Sequence, residues 1–130
     1  MYRIHRAVHW VSLDAYIRSL GPAGWWRMDQ GVTVTGAGIS QVDDLSGNAR
    51  ALLDPGTTRP IYLPYSGTKY LYLPGVAGNY ASTPDSAANS ITGDIDIRVR
   101  VALDDWTPAA NESLVNKFNG TTGYEFFVWS

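Results

Sequence analysis

The sequence contains no cysteine, and this absence removes several functions at once. Disulfides, thiol nucleophiles and zinc sites built from cysteine are all excluded. Glutamate is also scarce, because Glu112 and Glu125 are the only two in the chain. A glycosidase needs two carboxyl groups that meet across the bond to be cut, and these two glutamates lie on different segments. We therefore expect a protein that is not an enzyme.

Strong charge of one sign and long apolar runs are missing as well. The net charge is −2 and no basic stripe is present, so nucleic acid is not an expected partner. The longest uncharged run near the N-terminus is AVHWVSL, which is too short and too polar for a signal peptide or a membrane span. Release by cell lysis, as part of a virus particle, would carry such a chain out of a cell without a signal.

What the sequence does contain is apolar and aromatic residues in short runs. The chain has 130 residues, of which 45% are hydrophobic and 12% aromatic, and this size and composition fit one globular domain. Beyond the first twenty residues the runs are broken by Gly, Pro, Asn and Asp. This pattern predicts an all-β sandwich or barrel.

Residues 1–20 differ from the rest and predict an N-terminal helical docking segment. Ser12 is a suitable N-cap, and Asp14 favours the positive start of a helix. Gly21 and Pro22 would end the helix. The residues that recur at helical spacing form one apolar face and are Leu13, Tyr16, Ile17 and Leu20.

Residues 21–130 predict strands joined by turns. We expect strands at GWWRMD and KYLYLPG, and most clearly at GDIDIRVRVALDD. In the last of these, the apolar residues alternate with Asp94, Asp96, Arg98 and Arg100, which form a charge-balanced face toward solvent. The Pro-rich residues 51–68 predict a loop or an edge strand, since proline cannot donate to a sheet.

Two shorter stretches predict connections between strands. ESLVNKF and GYEFFVW predict a hairpin, because Asn119 and Gly120 between them favour a tight turn. TGAGIS, from Thr35 to Ser40, carries a Gly-x-Gly pattern, but no helix pattern follows it as a phosphate loop would require. We expect it to connect two strands.

The chain presents its motifs in the order GPAGWWRMDQ, DLSGNARAL, YLPGVAGNYASTP, ITGDIDIRVRVAL, SLVNKF and GYEFFVW. This order resembles the LamG-like family of concanavalin A-like lectin and glucanase jelly rolls. The resemblance implies an all-β jelly-roll sandwich over residues 21–130, behind the short helix. The family's sandwich normally continues with more strands, so we expect this chain to hold the front part of the domain.

The stretch before the first Trp strand resembles versions of the family found in phage tail and other virion proteins. The residues that carry this resemblance are Tyr16, Ile17, Leu20, Gly21 and Pro22. The resemblance therefore implies a non-catalytic structural or adhesion protein of a phage tail or fibre. Its expected partners are other virion proteins or copies of itself, and host-surface glycans. The alternative is a carbohydrate-binding module of a secreted bacterial protein, which would be extracellular. A glycoside hydrolase of the same fold fits less well.

The acidic cluster DDLSGN allows two interpretations. In the first, an Asp carboxylate accepts N–H groups just after it, and Gly47 or Asn48 adopts a left-handed conformation, which makes a turn. In the second, the oxygens of Asp43, Asp44 and Asn48 bind calcium, which prefers such ligands and occurs in LamG-like domains. The spacing matches no EF-hand loop, so we favour the turn and expect no other cofactor.

Aromatic side chains on loops are the candidates for glycan contact, because sugar rings stack on flat aromatic faces. Trp106 lies in the loop-like stretch LDDWTPAANES, and Tyr62 and Tyr65 lie in IYLPYSG. These three residues are the predicted stacking positions. The alternative for each is a place at the edge of the sandwich or at a contact between proteins.

Overall fold

A computed structural model of the chain describes residues 12–36, 38–54, 60–65, 68–76 and 78–129, without the side chains of 61–65 and 68. The protein is mostly β-structure in two small sheets, with one short α-helix. The all-β class expected from the sequence is thus confirmed. The chain forms two compact units, one ending at Pro84 and the other beginning at Asp85, and each is described by itself.

Helix α1, Leu13–Ser19, occupies the described end of the predicted docking segment, whose residues 1–11 lie outside the described part. Ser12 is the N-cap, and its hydroxyl accepts the N–H of Ala15 at 3.2 Å. Gly21 follows the helix, and its N–H donates to the carbonyl of Arg18 at 3.1 Å. The predicted start and end of the helix are therefore confirmed. Along the described ranges, no helix has the length and apolar character needed to cross a membrane.

The sheet of the first unit has five strands. They are β1 (Val32–Thr35), β2 (Gly38–Val42), β3 (Leu52–Leu53), β4 (Ile61–Tyr65) and β5 (Thr68–Tyr72). All neighbours are antiparallel, in the order β1-β2-β4-β5, and β3 also pairs with β2. The predicted strand KYLYLPG corresponds to β5, and TGAGIS connects β1 to β2 as expected. The Pro-rich stretch supplies β4, which pairs with β2 at Ile61 and Gly38.

Strand β2 lies at the centre of this unit. Ile39 and Val42 are the buried hydrophobic residues of the described chain. Pro60, which directly precedes β4, is also fully buried. The N–H of Ile39 donates to the carbonyl of Pro60 at 2.8 Å. Many large apolar side chains of the described chain are exposed, among them Val34, Leu53 and Leu73 in this unit.

The second unit is built on a hairpin. Strands β6 (Glu112–Phe118) and β7 (Gly123–Val128) pair antiparallel, as predicted. The side-chain oxygen of Asn119 closes the turn by accepting the N–H groups of Thr121 at 3.0 Å and Thr122 at 2.9 Å. Gly123 has φ 124, and a Cβ there would lie 1.8 Å from the carbonyl oxygen of Lys117. Only glycine fits that position.

Two predicted strands are wrong. Residues 93–105, the clearest prediction, belong to no strand or bridge of the described chain. Alternation decides which face a side chain takes, but a strand also needs a neighbouring backbone, and none of the described strands runs beside this segment. In GWWRMD only Trp26 pairs, through a single bridge to Asp44. The N–H of its neighbour Trp25 donates instead to the side chain of Asp44.

Candidate functional site

The turn after β2 is organised by one carboxylate. Asp44 Oδ1 accepts the N–H of Trp25 at 2.9 Å and the N–H of Ser46 at 2.9 Å. Its other oxygen accepts the N–H of Arg50 at 3.1 Å. Gly47 within the turn has φ 92, a left-handed conformation that suits glycine. The bonds to Ser46 and Arg50 are those expected of a turn. The bond to Trp25 also links the turn to a segment nineteen residues earlier in the chain.

The bonding of Asp44 changes its acidity. Burial by itself raises the pKa of this carboxyl, because it disfavours the charged form. Hydrogen bonds from Ser46 and from the N–H groups of Trp25 and Arg50 favour the charged form and hold the pKa below its ordinary value. Asp44 is therefore a charged acceptor of three backbone N–H groups at neutral pH.

Further bonds join the turn to the segment before Trp26. The amide nitrogen of Asn48 donates to the carbonyls of Pro22 at 3.1 Å and Ala23 at 3.3 Å. The indole N–H of Trp26 donates to the carbonyl of Arg50 at 2.7 Å, and the Arg50 guanidinium also donates to Ala23. We call residues 43–50 the Asp44 turn. Its polar bonds hold it to residues 22–26.

Helix α1 is attached to the Asp44 turn by its charged side. The guanidinium of Arg18 donates to the carbonyl of Leu45 at 2.7 Å and lies 5.2 Å from the ring centroid of Trp25. Asp14, one turn earlier on the same side of the helix, pairs with Arg27 at 2.5 Å. Arg27 also pairs with Asp29, and this hydrogen bond chiefly raises the pKa of Arg27.

The apolar face of the same helix is turned away from these contacts. Leu13 is 70% exposed, Tyr16 49% and Leu20 52%. Residues 13, 16 and 20 lie on one side of a helix with 3.6 residues per turn, and residues 14 and 18 lie on another. A surface helix usually buries its apolar stripe and exposes its charges. In helix α1, three of the four apolar residues are exposed, Ile17 is half-buried, and Arg18 is bonded although it is exposed.

The residues proposed for calcium lie close together but are used in different ways. The Asp44 carboxylate accepts three N–H groups. Asp43 is exposed and accepts from the amide of Gln41 at 2.6 Å. Asn48 presents its amide nitrogen, not its oxygen, to Pro22 and Ala23. Among the described residues, no three or more His, Cys, Asp or Glu side chains are grouped as metal ligands.

A cleft of about 550 Å³ lies in the second unit, beside the hairpin. Most of the side chains around it are polar, and the aromatic ones are Phe118 and Tyr124. Phe118 is 46% exposed. The residues that line the cleft are 85, 89–92, 116–119 and 122–124. Hydroxyl, amide and charged groups beside two aromatic rings are the surroundings that a sugar ring can bind.

The walls of the cleft are tied to each other by side-chain bonds. Lys117 Nζ lies 2.5 Å from Asp85 Oδ1, and the hydrogen bond from this lysine lowers the pKa of the Asp85 carboxyl. The Tyr124 hydroxyl donates to the carbonyl of Asn89 at 3.3 Å. These bonds hold residues 85–89 against the hairpin, and sequence reasoning did not identify them. In the sequence, the polar residues Asn116 and Lys117 of ESLVNKF were the signal that could have indicated the cleft.

The predicted stacking residues do not gather at this cleft. Trp106 lies in the irregular residues 101–111 and is 63% exposed, but it is not part of the cleft wall. Beside it, Asp105 accepts the N–H and hydroxyl of Thr107 at 2.8 and 2.9 Å. The side chains of Tyr62 and Tyr65 lie outside the described residues, so their predicted role stays a prediction.

Two of the acidic residues, Glu125 and Asp96, are engaged in local bonds. Glu125 accepts from the hydroxyl of Ser113 and from the amide of Asn116, at 3.1 Å in the second case. Asp96 pairs with Arg98 at 2.7 Å, and both side chains are largely exposed. Each of these carboxylates therefore has a structural partner on the surface of the second unit.

In comparisons with known proteins, no protein-family model, no curated protein and no solved structure matches this chain.

Proposed function

We propose that this chain is a non-catalytic structural and adhesion component of a virion, in a phage tail or fibre. Residues 21–130 would form a LamG-like jelly roll, and the N-terminal segment would dock onto neighbouring virion proteins. The all-β content and the order of sequence motifs support the fold. The exposed apolar face of helix α1 is the observation that carries the function.

The exposed apolar residues of the helix favour a protein partner. Arg18 and Asp14 connect the helix to the rest of the first unit, while Leu13, Tyr16 and Leu20 remain in water. Each such side chain stabilises a contact by about 1.5–3 kcal/mol when it is fully buried. An apolar surface of a neighbouring protein would gain this energy without disturbing the polar bonds that position the helix.

A triple variant tests this docking role. We expect Leu13→Ser with Tyr16→Ser and Leu20→Ser to reduce incorporation into particles at least about tenfold, since three apolar contacts are lost. The polar bonds of Arg18 and Asp14 should keep the first unit folded. Ala15→Ser is the matched control, because Ala15 is exposed on the same helix but outside the apolar face. Equal incorporation of the triple variant and the control would contradict docking through this face.

A carbohydrate-binding module is the second candidate, and the cleft of the second unit favours it. Phe118 and Tyr124 would stack on a sugar ring, and Asn116, Asn119 and Lys117 would bind its hydroxyl groups. A glycan array is the first measurement. If a glycan binds in the cleft, Phe118→Ala should weaken binding and Trp106→Ala should not. The reverse result would assign the glycan to Trp106, as the sequence predicted.

A further inference from the structure

Residues 93–101 alternate apolar and charged residues after Gly93 and belong to neither sheet of the described chain. Ile95 is 41% exposed, Val99 42% and Val101 37%. The alternate positions carry the charges, in the order Asp94, Asp96, Arg98 and Arg100. Such a segment has the side-chain pattern of a half-buried strand, but no described strand lies beside it.

The charges are ordered so that two copies of the segment, paired antiparallel, place opposite charges against each other. In an antiparallel pair centred on Ile97, each position faces the one at an equal distance on the other side of the centre. Asp94 then faces Arg100, and Asp96 faces Arg98. Opposite charges directly across an antiparallel pair stabilise it, and like charges destabilise it.

The apolar face matches in the same register. Ile95 faces Val99 of the other strand, and Ile97 faces its own copy. β-Branched residues packed across strands are among the favourable cross-strand pairs. One register therefore satisfies both faces of the segment at once.

Other arrangements lose this match. A parallel in-register pair places each charge against the same charge. An antiparallel register centred on Asp96 or on Arg98 places that residue against its own copy. A shift by a single residue in one strand turns apolar side chains to the charged face. The sequence thus specifies one pairing, and it is the symmetric one.

We propose that residues 93–101 are a self-association strand, which pairs antiparallel with the same segment of a second copy of this chain. Within one chain, Asp96 pairs with Arg98 two residues away, at 2.7 Å and with both side chains 65% exposed. An exposed pair of this kind contributes little to stability, so exchanging it for a cross-strand pair costs little. The two copies would be related by a twofold axis, which is the commonest symmetry of protein dimers.

Two charge variants of the full chain test the proposal by analytical ultracentrifugation over a concentration series. The first is Asp94→Arg with Asp96→Arg, and the second is Arg98→Asp with Arg100→Asp. Each makes the whole polar face one sign, so the self-paired strand would oppose like charges. We expect the dissociation constant of the wild-type dimer to rise roughly a hundredfold in each variant.

Two matched controls restore the complementarity without restoring the sequence. A mixture of the two variants should associate again, because the acidic strand of one faces the basic strand of the other. The fully exchanged chain, with both acids as Arg and both arginines as Asp, should associate like the wild type. A folded variant that regains pairing in these ways cannot have lost it through unfolding.

The results that overturn the proposal are specific. A wild-type chain that stays monomeric up to the highest soluble concentration excludes self-pairing. A dimer that persists unchanged in both charge variants places the contact elsewhere, such as at the apolar face of helix α1. Failure of the mixture and of the exchanged chain to associate excludes the register centred on Ile97. None of these results bears on whether the chain belongs to a virion, which particle incorporation tests separately.

Discussion

Asp44 Oδ1 accepts the backbone N–H of Trp25 at 2.9 Å, although nineteen residues separate the two in the chain. This bond and the single bridge between Trp26 and Asp44 make the turn after β2 the support for the segment before β1. Helix α1 joins the same turn through Arg18. Asp44 therefore supports the turn to which Arg18 bonds, while Asp14 attaches the helix separately to Arg27.

Asp44→Asn should destabilise the chain by about 1–3 kcal/mol in urea unfolding, because a charged acceptor of three N–H groups is replaced. The amide oxygen can still accept two of them, but an amide nitrogen cannot accept the third. Asp43→Asn is the matched control, since Asp43 is adjacent and exposed. We expect the control to change the free energy of unfolding by less than about 0.5 kcal/mol. Equal losses in the two variants would contradict the role of Asp44.

The effect of Asp44→Asn should depend on pH. The folded pKa of Asp44 lies below its ordinary value of 3.8. The unfolded chain therefore binds the proton first as pH falls, so the carboxylate stabilises the fold above about pH 4 and loses this effect below it. We expect the stability gap between wild type and variant to be full at pH 7 and to narrow below pH 4. Other acids with lowered pKa values are shared by both proteins and cancel in the difference.

Arg18→Gln should loosen helix α1 from the Asp44 turn. The variant loses the bond to the Leu45 carbonyl and the contact with the Trp25 ring, together worth about 1–2 kcal/mol. Hydrogen exchange at the amide of Tyr16, which donates to Ser12 at 2.9 Å, should become faster. Ser19→Ala is the control, because the Ser19 hydroxyl bonds to Tyr16 within the helix. Unchanged exchange in Arg18→Gln would show that the helix is held by other contacts.

Gly123→Ala should destabilise the hairpin and open the cleft beside it. The new Cβ would lie 1.8 Å from the Lys117 carbonyl oxygen, at a φ that side chains rarely adopt. Gly120→Ala is the comparison, since Gly120 also has positive φ but nothing lies within 4 Å of its added Cβ. We expect a clearly lower melting temperature for Gly123→Ala and a smaller decrease for Gly120→Ala. If both variants melt at the same temperature, the close approach of Gly123 to Lys117 does not matter.

Local signals in the sequence predicted local structure well. The N-cap at Ser12, the turn at Asn119 and Gly120, and the turn made by Asp44 each depend on residues a few positions apart. Such contacts follow from the conformational preferences of single residues. The bonds from Asp44 to Trp25 and from Arg18 to Leu45 could not be predicted, because nothing local connects residues so far apart in the chain.

Residues 93–105 show what the sequence alone could not predict. Their alternation was the clearest strand pattern in the chain, and the described structure gives them no neighbouring strand. Alternation in the sequence indicates which face of a strand each side chain takes. Formation of the strand also needs a neighbouring strand, which a single sequence does not identify. The cleft was missed for a related reason, since residues 85–92 and the hairpin meet only through long-range contacts such as Lys117 to Asp85.

The most direct test of the proposed function is whether the chain is a fixed part of a particle. Particles released by cells that carry its gene would be purified on a density gradient, and the chain would be quantified by mass spectrometry against the major capsid protein. We predict a constant ratio of chain to capsid protein across the particle peak, retained after washing in high salt. A chain found only in the particle-free fractions would contradict the account.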